Sequence, residues 1–172
     1  DYTLGAGKIS SPQNEVCFEA DGERFMTSDE PDLEGSFACV ANVGTSGSGS
    51  EKVMESMMAA VTPPLMMPGS CNGGFIREDA ILVVTFITDE EDEHSDGTPQ
   101  EWKEALVQAK GGKEDGIFVL GVFGDPESPD TPCGQGGQFG GGSADDAPKL
   151  QEFLASFGDR GHFCSVCSYD YS

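Results

Sequence analysis

From Asp89 to Asp96 the chain reads Asp89-Glu90-Glu91-Asp92-Glu93-His94-Ser95-Asp96, six carboxylates within eight residues. Clustered carboxylates suit hard cations, because Mg²⁺ and Ca²⁺ take oxygen ligands. The run is not an EF-hand loop. Counted from Asp92 the glycine falls at the sixth position, but the third and twelfth positions are His94 and Lys103. Asp89 stands out because it directly follows the apolar run Ile81-Leu82-Val83-Val84-Thr85-Phe86-Ile87-Thr88. A buried strand ending there would hold Asp89 rigidly at a sheet edge, where a divalent cation, bound directly or through water, is the expected chemistry. A charge run of this kind is otherwise a solvated loop.

Sulfur is the other chemistry-bearing element. Cys17, Cys39, Cys71, Cys133, Cys164 and Cys167 are even in number and spread along the whole chain, as in a disulfide framework formed in an oxidising compartment. Cys17 with Cys39 would clip the first third, Cys133 with Cys167 would tie a glycine-rich loop to the last strand, and Cys71 with Cys164 would remain. Each bridge would add about 2–4 kcal/mol. His162, Cys164 and Cys167 with Cys133 form a rival Cys₃His zinc set, although only one close ligand pair is present. A redox C-x-x-C usually opens a helix, whereas Cys164 and Cys167 end a strand. No nucleophile, base and orienting group stand out around His94 or His162, which points away from catalysis.

The elements that must position these groups are legible in part. Val53, Met54, Met57, Met58 and Val61 recur at helical intervals after the capping-box spacing Ser48-x-x-Glu51, until Pro63-Pro64 stops the pattern. The run 81–88 predicts a central strand buried on both faces. A helix follows from Pro99, with Trp102, Ala105, Leu106 and Ala109 inward, and Gly111-Gly112 ends it. Ile117 to Phe123 is a second buried strand, so strand, helix and strand make a right-handed parallel crossover. Leu150, Phe153, Leu154 and Phe157 mark another helix, and residues 161–167 a last strand. Residues 1–50 read as irregular, with one short hairpin from pieces such as Phe37-Ala38-Cys39-Val40. The loop over 124–146 carries GQGGQFGGG but no phosphate-loop or dinucleotide signature.

Composition narrows the class of partner. The chain has 172 residues, 31 Asp and Glu against 9 Lys and Arg, and a formal charge of −22. Such a surface repels phosphate and anionic lipid, which argues against nucleic acid and favours cations and basic partners. No apolar run is long enough for direct membrane insertion. The opening DYTLGAGKIS has neither a basic start nor an apolar stretch, so if the protein is exported its signal has been removed or lies outside these residues. With 24 glycines, long ordered loops around one core are expected, in a single domain over 1–172.

Several segments together resemble the von Willebrand factor A-type domain, and more narrowly the cysteine-containing A-type domains of bacterial surface proteins. They are a small-residue loop with Thr45 and Ser48, then Asn72-Gly73-Gly74-Phe75-Ile76-Arg77-Glu78-Asp79-Ala80, the strand ILVVTFIT, and Thr88-Asp89 at its tip. Ala147-Pro148-Lys149-Leu150, Phe157-Gly158 and Ser165-Val166-Cys167 also fit. The resemblance implies an α/β fold, a Rossmann-like and mainly parallel sheet with helices on both faces. It also implies a metal-ion-dependent adhesion site holding Mg²⁺ or Ca²⁺. Asp89 matches the aspartate of that site, and Thr45, Ser48 or Ser50 its second-loop hydroxyl, while the D-x-S-x-S motif is absent from these residues. On this resemblance a first strand, a helix and a second strand would precede Asp1, and a final helix would follow Ser172. The implied function is a secreted, cell-surface or periplasmic module binding a protein or glycan. Its alternative is a subunit of an extracellular assembly whose missing strand another chain supplies.

Overall fold

The computed structural model describes residues 17, 25–42, 49–124 and 144–168. Thr45, Ser48, Cys133 and the GQGGQFGGG segment lie outside them, as does the Ser48 half of the expected capping box. The elements are α1 (Leu33–Ala41), α2 (Val53–Val61), β1 (Leu82–Ile87), α3 (Pro99–Ala109), β2 (Ile117–Phe123), α4 (Pro148–Ala155) and β3 (Gly161–Ser165). They divide into two compact units, one of Asp1–Gly49 with Ala59–Ile76, the other of Ser50–Met58 with Arg77–Ser172.

In the first unit Phe37 to Val40 is helical, not part of a hairpin. Asp32 caps α1 by accepting the Gly35 N–H at 3.1 Å, and the Ser36 hydroxyl donates to Glu30 at 2.9 Å. The expected Cys17–Cys39 disulfide is present and anchors the helix. Beyond it, Asn72 donates its side-chain N–H to the Ala60 carbonyl at 2.9 Å, while Phe25 and Phe75 meet edge to face at 5.3 Å. The N-x-G-F segment therefore has a structural duty: its Asn caps the carboxyl-terminal end of α2.

The second unit is a parallel sheet in the order β1-β2-β3, an open α/β arrangement as expected. Right-handed crossovers in consecutive order place α3 and α4 on the same face. Leu82 and Phe86 of β1, and Ile117, Val119 and Phe123 of β2, point into that face. There Trp102 and Leu106 of α3 and Leu150, Phe153 and Leu154 of α4 complete the core. Phe153 is its hub, with ring centroids 6.1 Å from Trp102, 6.2 Å from Phe86 and 5.4 Å from Phe157. Gly121 admits α4 to the sheet, since a Cβ there would lie 2.7 Å from both Phe86 and Phe123 and 2.9 Å from Leu154.

β1 departs from expectation on its other face. Val83 is 63% and Ile87 68% exposed, so this strand is buried on one face only and lies at the edge of the described sheet. The continuous apolar run hides this, because both faces of the strand carry the same residue types.

Polar contacts at the ends of α3 fix its place. Lys110, 2% exposed, donates its ammonium to the Arg77 and Glu78 carbonyls, tying the end of α3 to the approach to β1. Glu114 receives Lys103 at 3.0 Å and Arg160 at 2.9 Å, and these cations hold its carboxyl below the usual glutamate range, Lys103 most strongly.

Candidate functional site

The acidic run lies at the carboxyl end of β1, the edge where open parallel sheets place their ligands. Thr88, 7% exposed, extends the ladder by donating its N–H to the Val122 carbonyl at 3.0 Å. Its hydroxyl accepts the Glu90 N–H at 3.2 Å and folds the chain over immediately after the strand. Asp89 accepts the Asp145 N–H on its carbonyl at 2.8 Å. Gly124 makes that approach feasible, because a Cβ there would collide with the Asp145 carbonyl.

Beyond Asp89 the carboxylates divide into two kinds. Asp92 is fully buried and accepts the Met54 N–H at 2.7 Å, the Ser95 N–H at 2.9 Å and the Ser95 hydroxyl at 2.8 Å. Ser95 in turn accepts the Glu55 N–H at 2.8 Å, so these two side chains satisfy first-turn donors of α2 from about 40 residues away. Glu91 does the same for α4. That helix begins Ala147-Pro148 without a side-chain cap of its own, and Glu91 accepts the Lys149 N–H at 2.8 Å. Lys149 closes the arrangement by donating its ammonium to the Asp92 carbonyl at 3.1 Å. A carboxylate at a helix N-terminus also gains from the helix dipole.

Asp89, Glu90, Glu93 and Asp96 are exposed, and so are Asp145 and Asp146 across the edge. The run therefore builds a fixed loop with its inner acids and presents its outer ones to solvent. Near α2, Glu55 lies 2.7 Å from the Lys52 ammonium and raises its pKa, with Asp96 and Asp92 adding to the effect.

Of the sequence-predicted metal residues, Asp89 lies at this edge, Ser50 is exposed in the bend before α2, and Thr45 and Ser48 are outside the described residues. Among the described residues no three His, Cys, Asp or Glu side chains come together as a metal cage. Divalent cations of this kind need several oxygen ligands, so the described residues do not by themselves fit the implied ion. Sequence reasoning missed the capping roles of Glu91 and Asp92. Their signals were the uncapped Ala147-Pro148 helix start and the Asp92-x-x-Ser95 spacing.

The cysteines also divide. Cys17 and Cys39 are joined, and Cys167 is disulfide-bonded, the expected Cys133 lying outside the described residues. Cys71 and Cys164, the remaining expected pair, carry free thiols. Cys71 belongs to the turn-rich part of the first unit and Cys164 to β3 of the second.

No family model matches the chain, and comparison with curated proteins and with solved structures gives no significant match. No helix among the described residues is long and apolar enough to cross a membrane.

Proposed function

We propose that this chain is a secreted, cell-surface or periplasmic binding module of the A type, not an enzyme, and that its partner contacts the carboxyl edge of the sheet. One observation carries the reading. The loop after β1 is fixed from within by Glu91 and Asp92 while Asp89 and Glu90 remain exposed at its tip. A binding group held in place before contact loses little entropy on association, so a preorganised tip of this kind favours affinity. The net charge of −22 selects a cationic surface as the complement, and long-range attraction would speed its arrival. The partner is thus a basic protein, with a glycan as the competing ligand. The Cys17–Cys39 disulfide agrees with an oxidising compartment.

The test is site-specific photo-cross-linking, with benzoylphenylalanine replacing Glu90 at the carboxyl edge or Asp115 at the opposite end of the sheet. A defined adduct from position 90 and none from position 115 supports the reading. Adducts from both positions, or from 115 alone, refute it. Calorimetric titration of the wild type and Asp89→Ala with Mg²⁺ or Ca²⁺ then decides whether a cation bridges the contact.

A second reading, a subunit whose sheet another chain completes, is favoured by the position of β1 at the edge of the described sheet. Under it, β1 would gain amide protection on assembly.

A further inference from the structure

Where glycine follows Asp or Asn, no side chain shields the glycine nitrogen, which can attack the preceding Cγ and close a five-membered succinimide. The chain holds four such steps, Asp21–Gly22, Asn72–Gly73, Asp96–Gly97 and Asp115–Gly116, the first of them outside the described residues. Attack requires the glycine N–H to give up its proton, so a hydrogen bond that engages this group holds the nitrogen out of reaction. Gly73 donates to the Ser70 carbonyl at 3.1 Å, and the Asn72 carboxamide is itself committed to Ala60. Gly116 donates to the Lys113 carbonyl at 3.2 Å, within the short helical turn Glu114–Gly116. Of these three glycines, Gly97 alone has no acceptor for its N–H among the described residues, and both Asp96 and Gly97 are exposed.

The peptide joining Asp96 to Gly97 is also polarised. Its carbonyl oxygen accepts the indole N–H of the fully buried Trp102 at 2.8 Å. When Gly97 loses its proton, the negative charge is shared between that nitrogen and that oxygen, so a fixed donor on the oxygen favours the reactive anion. We infer that Asp96–Gly97 is a self-modification site, at which aspartate converts to isoaspartate without an enzyme. A bond forms between the Gly97 nitrogen and Asp96 Cγ, and a carboxyl oxygen leaves as water with the carboxyl and amide protons. Water then opens the ring. Addition at Cγ restores aspartate, whereas addition at the former main-chain carbonyl gives isoaspartate, whose main chain runs through Cβ and Cγ. The oxygen held by Trp102 then belongs to a carboxylate, and the chain between Ser95, which binds the start of α2, and Thr98, which caps α3, gains one main-chain carbon. The reaction does not depend on what the carboxyl edge of the sheet binds.

Asparagine at the same positions reports ring closure directly, because ammonia leaves in place of water and each event appears as a mass gain in peptide mapping. Asp96→Asn and Asp115→Asn would be incubated folded and in urea with disulfides intact, with the native Asn72 as internal standard and far-ultraviolet circular dichroism as the check on folding. In the folded protein, position 96 should deamidate at least tenfold faster than position 115 or Asn72, and in urea the three rates should converge. Equal folded rates at 96 and 115, or a difference of the same size in urea, overturns the inference, since sequence and not structure would then set the rate. The wild type is tested in water enriched in ¹⁸O, because ring opening leaves one solvent oxygen in the product. Label and isoaspartate should accumulate at position 96, together with a change in the fluorescence of Trp102, the only tryptophan. Asp96→Glu would need a six-membered ring and should show neither. Absence of label at 96 in the folded wild type, over an incubation that labels the urea-unfolded chain there, also overturns the inference.

Discussion

Removing the buried carboxylate of Asp92 separates the structural acids from the exposed ones. In Asp92→Ala, three accepted hydrogen bonds of 2.7–2.9 Å disappear at once. Bonds to a charged acceptor are each worth about 1.5–3 kcal/mol, and a buried donor left without a partner costs about 1–3 kcal/mol. Met54 is fully buried, so its N–H finds no water, whereas Ser95 is half-buried and recovers part of its loss through solvent. The destabilisation expected is therefore about 3–5 kcal/mol, below the simple sum of the three bonds. Asp92→Asn keeps one carbonyl oxygen for the Met54 N–H but turns an amide donor toward Ser95, and should cost about 1.5–3 kcal/mol. Exposed Asp89→Ala should fall within about 0.5 kcal/mol of wild type. Trp102, the only tryptophan and fully buried, reports on the sheet-bearing unit. Urea unfolding followed by its fluorescence measures all three variants, and at about 2–4 °C per kcal/mol the Ala variant should melt roughly 6–20 °C lower. A loss below about 1 kcal/mol in Asp92→Ala, or an equal loss in Asp89→Ala, would refute the division of roles.

Further expectations concern the neighbouring contacts. Glu91→Ala removes the cap of α4 and should cost about 0.5–2 kcal/mol, with faster amide exchange at Lys149 as the local readout. Glu114 is held below the ordinary glutamate value by Lys103 and Arg160, so its contribution to stability is complete above that ordinary value and is lost as the pH falls through the lower, folded one. Glu114→Gln should therefore flatten the stability profile on the acid side without changing its shape at neutral pH, as measured by urea midpoints across the acid range. Among the described cysteines, alkylation without reductant should modify Cys71 and Cys164 and spare Cys17, Cys39 and Cys167, as peptide mass mapping would show.

The sheet unit was legible in the sequence wherever periodicity reports burial. Trp102 with Leu106, and Leu150 with Phe153, Leu154 and Phe157, were placed inward from spacing alone and are buried. The helix over Leu33–Ala41 was not, because Gly35 and Ser36 interrupt its apolar pattern and the helix depends on the Asp32 cap and the bridge at Cys39. The acidic run was placed at the right sheet edge from the strand before it. Its internal division was hidden, since Asp89 and Asp92 are the same residue type three positions apart. What distinguishes them is a helix start 38 residues away, a contact that local spacing does not encode. The exposed face of β1 was hidden for the opposite reason, because Val83 and Ile87 look like core residues until their neighbours are known.

The most direct test of the binding account is charge reversal at the loop tip. Asp89→Lys combined with Glu90→Lys would be compared with wild type for affinity toward the ligand captured at position 90, and for thermal midpoint in the same buffer. The account predicts at least a tenfold weaker affinity with an unchanged midpoint, because both side chains face solvent and neither caps a helix. Unchanged affinity, or a loss that only follows unfolding, would contradict it.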